Sequence, residues 1–494
     1  MGLAITFCHL TVPACSKSAC AGIPRTAPLH AGPNPESRRF PLLAGRYWAL
    51  VSTRFVTRVG KFAFDAAGRG STPMDLMRRN NAIFTFLACV FFPWVGTVLS
   101  FLVNGAGLWA VIRLSLKHFR LQFDRHMLII AALFGIYFLS GLLLSIAHFG
   151  KDGSFETVLN RIPYLFFLPL LSRYSLSSPS QTRHALENGA LVGAAIAAAF
   201  ALVHVSHGFA RAEAYSGNPG PFATGSLAIL IILLNAAFAN KGLRRRLFAI
   251  ALILPLISLA ASGMRTYWLV VPIVAAMALF SGHHPDRRTV LIASVLAVIH
   301  VTVMWFVAGD AIEQRVLLLL NDYRNSGLNP DATTSLGQHL SVWTCAIRAI
   351  GSSPILGLGS VEGHAFMADC TNSLLGTSLN YSHYHNVILT SGVFGGIVDI
   401  VATLAMACAP FVASFMPGNQ GQRRSGVFFL RATALTWLII GFVNLSYGHD
   451  IMDSIYIFMT VIGAHFCFAP QEAISQGSSG MDEQSPVTNV ARRV

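Results

Sequence analysis

Two short stretches of this chain hold residues able to do chemistry. The first is His383-Tyr384-His385-Asn386, which closes a hydrophilic window and precedes an apolar run. Histidine is the natural general base near neutral pH. At the N-terminal end of a helix the backbone dipole disfavours imidazolium, which keeps His385 able to accept a proton. His383 reads as a support for the loop, and Asn386 as a neighbouring substrate contact. The second stretch is Ser262-Gly263-Met264-Arg265-Thr266-Tyr267-Trp268, between two short apolar segments. A guanidinium there can grip a phosphate or diphosphate through two parallel hydrogen bonds. It can equally cap a helix end or snorkel to lipid phosphate.

The elements that must position these groups are membrane helices. Of 494 residues, 54% are hydrophobic and only 11% charged, with a mean hydropathy of +0.58. That composition excludes an ordinary soluble domain. The net charge of +14 comes as short basic clusters between apolar runs with no continuous basic face, so nucleic acid is not the expected partner. Cytoplasmic anchoring by the positive-inside rule accounts for the clusters.

Those clusters set the topology. Arg78-Arg79 and Arg113, Lys117, Arg120 and Arg125 flank residues 82–112, which must therefore cross twice, turning near Pro93-Trp94. Further spans are expected at 127–148, 157–172, 186–207, 222–239, 247–262, 266–281, 289–307, 386–416 with a kink at Pro410, 427–446 and 454–469. The fold class is an all-α polytopic membrane protein with about twelve transmembrane helices and one large, mostly helical periplasmic loop. Residues 1–73 read as a disordered or mis-assigned extension, with Met74 a natural start. Residues 74–307 carry the first nine spans, 308–385 the outward loop, 386–470 the last three spans, and 471–494 a polar cytoplasmic tail. Both termini are then cytoplasmic.

This arrangement delivers distant residues to one outward face: Arg211, the 216–225 turn region, Arg265, the 308–385 window and Gly448-His449-Asp450. Within the window, Thr334 to Trp343 reads as a helix that runs on to a Gly/Pro turn at Ser353-Pro354-Ile355-Leu356-Gly357-Leu358-Gly359. Arg315, Arg324 and Arg348 read as solvated loop charges unless they are gathered to a site. Asp399 and Asn235, inside apolar runs, read as helix-packing hydrogen bonds. Of eight cysteines, only Cys345 and Cys370 share the window, and they could pair in an oxidising compartment. No metal-ligand spacing, phosphate-binding glycine loop or CxxC pair stands out.

Three pieces of this pattern resemble the bacterial O-antigen ligases, which are grouped with O-antigen polymerases and protein O-oligosaccharyltransferases. They are Ser-Gly-x-Arg-Thr-x-Trp around Arg265; Ser335-Leu336-Gly337-Gln338-His339-Leu340-x-x-Trp343 followed by the Ser353–Gly359 turn; and His-x-His-Asn with Gly392, Gly395 and Gly396. The turn Gly217-Asn218-Pro219-Gly220 is similar too. The resemblance implies an inner-membrane glycosyltransferase, without a cofactor or metal, whose partners are an undecaprenyl diphosphate-linked glycan donor, a lipid A–core acceptor and the bilayer. His385 would activate the acceptor hydroxyl and Arg265 would stabilise the departing diphosphate. Where ligases usually carry an arginine, this chain has His339, so the second cation falls to protonated His339, Arg324, Arg348 or Arg211. Asp450 resembles a late acid seen in some ligases. A polymerase would use the same donor with a glycan-lipid acceptor, and an oligosaccharyltransferase usually carries more sequence after its last helices. A transporter, the alternative from another class, would hold its polar residues at the bilayer midplane on broken helices.

Overall fold

The computed structural model describes residues 73–121, 125–150, 154–209, 211–280, 335–418 and 422–468, with isolated positions at 291, 294, 298, 302 and 317. The expectations for residues 1–72, for the span at 289–307, for the first part of the window with Arg315 and Arg324, and for the tail at 471–494 lie outside these residues.

Among the described residues the secondary structure is helical, with no strand. Helices α1 (Pro73–Phe91) and α2 (Gly96–Ser115) meet at a turn over 92–95, where the sequence placed one, but of the two only α2 is long and apolar enough to be a candidate span. However, α1 begins earlier than the sequence suggested and takes Arg78 and Arg79 into its own length. Helix α3 (Arg125–Ala147) is followed by a return path in three pieces, α4 (Ser154–Leu159), α5 (Ile162–Leu165) and α6 (Phe167–Tyr174). A single span was expected here. Pro163 and Pro169 explain the breaks, because neither has an N–H to offer the carbonyl four residues earlier.

Arg161 sits in the first break and is buried. Its guanidinium donates to the Tyr137 carbonyl at 3.0 Å and to Ser140 Oγ at 2.6 Å, and it pairs with Asp399 at 2.8 Å. Asp399 is therefore the partner of a buried cation rather than a simple packing hydrogen bond.

Helix α7 (Pro179–Ser206) starts from Ser178, whose hydroxyl accepts from Gln181 N, a regular N-cap. After a 3-10 turn at Ala214–Ser216, α8 (Pro219–Ala239) is capped by Asn218. The next expected span is two helices, α9 (Gly242–Ala251) and α10 (Ile253–Ser262). Pro255 leaves the Ala251 carbonyl without its helical donor, which accounts for the break. Then come α11 (Arg265–Phe280), α12 (Ser335–Ser352), α13 (Ser360–Leu375), α14 (Val387–Ala413), α15 (Arg423–Val443) and α16 (Asp450–Phe468).

Eight described segments are long and apolar enough to cross a membrane, and α11 is a shorter apolar helix. The protein is a multi-pass membrane protein, but the described residues do not establish the count of about twelve. The bundle is built around α8 and α16, whose apolar windows are 94% and 100% buried. An apolar helix enclosed on all sides is a core element.

The interruption in α14 is at Gly396 (φ 62°, ψ −156°), not at Pro410 as the sequence suggested. The 353–359 turn docks into this break. Leu358 N donates to Val393 O at 2.7 Å, Gly359 N to Phe394 O at 3.1 Å, and Ile397 N to Pro354 O at 2.8 Å. Backbone groups freed by the break are thus satisfied by the turn, as a membrane interior demands. A Cβ at Gly396 would lie 2.3 Å from the Ile355 carbonyl carbon, and its positive φ favours glycine as well. Two of the sequence motifs, the Ser-Pro-Ile-Leu-Gly-Leu-Gly turn and the glycines after His385, are therefore the two halves of one joint.

Helices α12 and α13 and the outer part of α14 share a second, smaller core that includes Val342, Ala346, Met367, Tyr384 and Val393. Cys345 and Cys370 form a disulfide inside it. At the opposite end of the bundle, Glu187 pairs with Arg183 at 2.7 Å and Arg244 at 2.9 Å, and Asn240 donates to it at 2.9 Å. There too, Arg173 donates to Asn81 and Arg78 to the Leu176 carbonyl. Basic clusters separated in sequence thus meet at one end, hereafter the basic end.

Candidate functional site

The other end carries the histidines. His385 does not open the helix, because α14 begins at Val387 and its cap is Asn386. The cap's Oδ1 accepts from Ile388 N at 2.9 Å and Leu389 N at 3.0 Å, while Nδ2 donates to the Phe442 carbonyl at 3.0 Å. Asn386 therefore caps α14 and ties it to α15. One position earlier, His385 adopts a left-handed backbone (φ 50°). That conformation costs a non-glycine residue on the order of 1–3 kcal/mol and persists only where the surroundings enforce it.

The surroundings are three rings. His339 from α12, Tyr381 and His383 each place their ring centroid 4.6 Å from that of His385. His383 Nε2 lies 3.1 Å from Asn444 Oδ1, so this nitrogen carries the proton. Its Nδ1 faces the Ser382 hydroxyl at 3.0 Å. His364, from α13, lies 3.0 Å from the Ser382 carbonyl, and the Tyr384 hydroxyl donates to the Gly363 carbonyl at 2.6 Å. The loop that presents His385 is thus held from α12, from α13 and from the turn after α15.

Electrostatics follow from this crowding. Burial, followed by the His383 and His339 rings, pushes His385 down to about 4. Burial also lowers His339. His383 is lowered by burial and by the surrounding imidazoles, against a raising contribution from Asn444. The sequence pointed to the helix dipole as the reason for a neutral His385; burial and the neighbouring rings act in the same direction. Burial thus opposes the charged form of His339, the residue that stands where ligases usually carry an arginine.

The arginines divide. Arg265 is the first residue of α11, exposed, just after the left-handed Gly263 that ends α10. Arg211 lies beside that turn: a Cβ at Gly263 would come within 3.3 Å of its Cγ. Two guanidinium side chains, 54 positions apart by their numbers, are therefore delivered to one turn at the histidine end. Arg348 does not join them. It is nine positions beyond His339 on α12, about half a revolution around the helix, and exposed. Arg324 lies outside the described residues.

Asp450 is also exposed, with an oxygen 3.3 Å from His449 Nδ1. Three residues later stands an acid that the sequence reading passed over. Asp453 is buried, accepts from the Tyr164 hydroxyl at 2.7 Å and from Gly448 N, and so fixes the turn that carries Asn444 and His449. The signal available was an acid in an apolar helix, which is costly unless partnered. Among the described residues no group of three His, Cys, Asp or Glu side chains is placed to hold a metal.

Residues 248–404, which enclose Arg265, His339, the disulfide, His385 and the α14 break, match the model of the O-antigen ligase family. That segment, about a third of the chain, is similar to the O-antigen ligase family. The family comprises membrane enzymes of the ligase and polymerase type that transfer glycosyl groups from lipid-linked glycans. An uncharacterized protein of Haemophilus influenzae (strain ATCC 51907 / DSM 11121 / KW20 / Rd) is 27% identical over 285 residues, covering 56% of this chain and 70% of that relative. Arg211 and Asp450 fall outside the family match.

Proposed function

We propose that this protein is an O-antigen ligase, transferring a glycan from undecaprenyl diphosphate to a sugar hydroxyl of lipid A–core at the periplasmic face of the inner membrane. The observation that carries the reading is the uncharged, ring-enclosed His385 at the same end as the Arg211–Arg265 turn. The acceptor O–H attacks the anomeric carbon, and the bond from that carbon to the diphosphate oxygen breaks. The proton passes to His385, and undecaprenyl diphosphate leaves with the electron pair. Displacement in one step inverts the anomeric centre. Arg265, with Arg211 as the second cation, opposes the charge that develops on the leaving group.

A base held near 4 is weak on its own. An incoming diphosphate places negative charge near the ring, which favours imidazolium and raises its proton affinity when the donor is bound. Two independent features support the sidedness. Disulfides persist in oxidising compartments, which suits the periplasm for Cys345–Cys370. Clustered arginines at the basic end suit the cytoplasm.

Deleting the gene and examining the lipopolysaccharide tests the proposal. Uncapped lipopolysaccharide, with polymerised glycan accumulating on undecaprenyl diphosphate, is the expected result. A single-repeat ladder would identify a polymerase instead, and unchanged lipopolysaccharide would overturn the reading.

A further inference from the structure

Tyr381 has no role in the transfer as set out above, yet it closes one side of the proposed base. Its ring meets the His385 ring edge-on at 4.6 Å. Its hydroxyl donates to Gln338 Oε1 at 2.9 Å, across 43 positions of sequence. Gln338 immediately precedes His339, whose ring packs against another side of His385. The loop and helix α12 are therefore tied together over the imidazole.

We propose that Tyr381, anchored by Gln338, is a positioning residue that fixes the orientation of the His385 ring and keeps water from one of its faces. The inference rests on His385 being the base. A left-handed backbone at His385 gives the side chain no helix or strand to hold its direction. Its direction is set by what encloses it, and two of the three enclosing groups are imidazoles that also alter its charge. Tyr381 is the member that contributes shape and a tie without a second imidazole. It is half-buried, so its ring can shield the site without blocking substrate entry. Placement of a reacting group within a fraction of an ångström is worth orders of magnitude in rate.

The test uses the full-length protein reconstituted in vesicles, with glycan on undecaprenyl diphosphate and truncated lipopolysaccharide as substrates. Tyr381→Phe keeps the ring and loses the tie; kcat should fall about threefold with the acid limb of kcat/KM unmoved. Tyr381→Ala loses both; kcat should fall about thirtyfold with KM within about twofold, and the acid limb should move up by about one pH unit or more as water reaches the ring. Gln338→Ala should behave as Tyr381→Phe does. Intact Cys345–Cys370 pairing on non-reducing gels reports that each variant has folded. Wild-type kcat and an unmoved acid limb in Tyr381→Ala would overturn the inference. So would a Tyr381→Phe variant as impaired as Tyr381→Ala, because the hydroxyl rather than the ring would then carry the effect. Wild-type transfer by His385→Ala is a separate outcome that removes the base itself.

Discussion

The two ends of the helical bundle treat polar side chains in opposite ways. At the basic end, Glu187 is buried and its carboxylate takes Arg183, Arg244 and the Asn240 amide. Opposite charges are paired and the helices they sit on are regular, with Ser178 capping α7. At the histidine end, His339, His383 and His385 are crowded together, burial disfavours the charged form of all three with neighbouring rings adding to this at His383 and His385, and the backbone at His385 is left-handed. The first arrangement lowers the energy of the fold. The second raises it locally and is maintained by packing from α12, α13 and the turn after α15. A left-handed histidine enclosed by other lowered imidazoles is a combination that functional sites often carry, and it makes the histidine end the candidate.

The sharpest way to break this contrast is to remove charged or basic groups from each end. His385→Ala should reduce glycan transfer by about a thousandfold or more while the protein inserts and folds, because a positioned base contributes two to four orders of magnitude. Arg265→Ala should cost about a hundredfold to a thousandfold through the leaving group. Glu187→Ala should do the reverse. Leaving Arg183 and Arg244 without their buried partner should destabilise the fold by about 2–4 kcal/mol, at or below the usual range for a broken buried pair because Arg244 is partly solvated. Its folded fraction should turn over normally. Reconstituted transfer assays and thermal unfolding in detergent check both halves. A stable but inactive Glu187→Ala would dissolve the distinction between the ends.

Acid should weaken the histidine end. His385 binds a proton at about 4 when folded and near 6.5 when unfolded. Above pH 6.5 the ring is neutral in both states and contributes no slope. As pH falls from about 6.5 towards 4 the unfolded chain takes up the proton first, so stability declines across that window and levels off below it. Unfolding temperature measured against pH should show this decline, and His339→Ala together with His383→Ala should flatten it by relieving the ring cluster.

Much of the frame was legible because its causes are local. Basic clusters marked one end, and the turn after Gly217, capped by Asn218, lay where the sequence indicated. What escaped the sequence depends on partners far along the chain. Pro410 looked like the place for a kink, yet Gly396 is the break, because the 353–359 turn arrives there to bond Val393, Phe394 and Ile397. Arg161 was hidden in an apolar run, and only its ion pair with Asp399, 238 positions away, explains it. In the site, the residue types of His385 and Arg265 could be singled out from charge and position. The charge state of His339 could not, since it depends on burial. Nor could the difference in burial between Asp450 and Asp453, which are the same in type.

Arg348 supplies the finest test, with the smallest expected effect. By residue type it ranks with Arg211 and Arg265 as a candidate cation, and it lies on the same helix as His339. Nine helical positions, however, turn it about half a revolution away and carry it roughly 13 Å along the axis, and it is exposed. An arginine there is screened by solvent and cannot reach a diphosphate bound near His385 and the Arg265 turn. Arg348→Ala should therefore keep kcat/KM within about twofold of wild type, whereas Arg211→Ala, beside Gly263, should lose about tenfold or more through weaker hold on the leaving group. Equal losses from the two substitutions, measured with the same donor and acceptor, would mean that the site extends across α12 and that the histidine end is wider than its ring cluster.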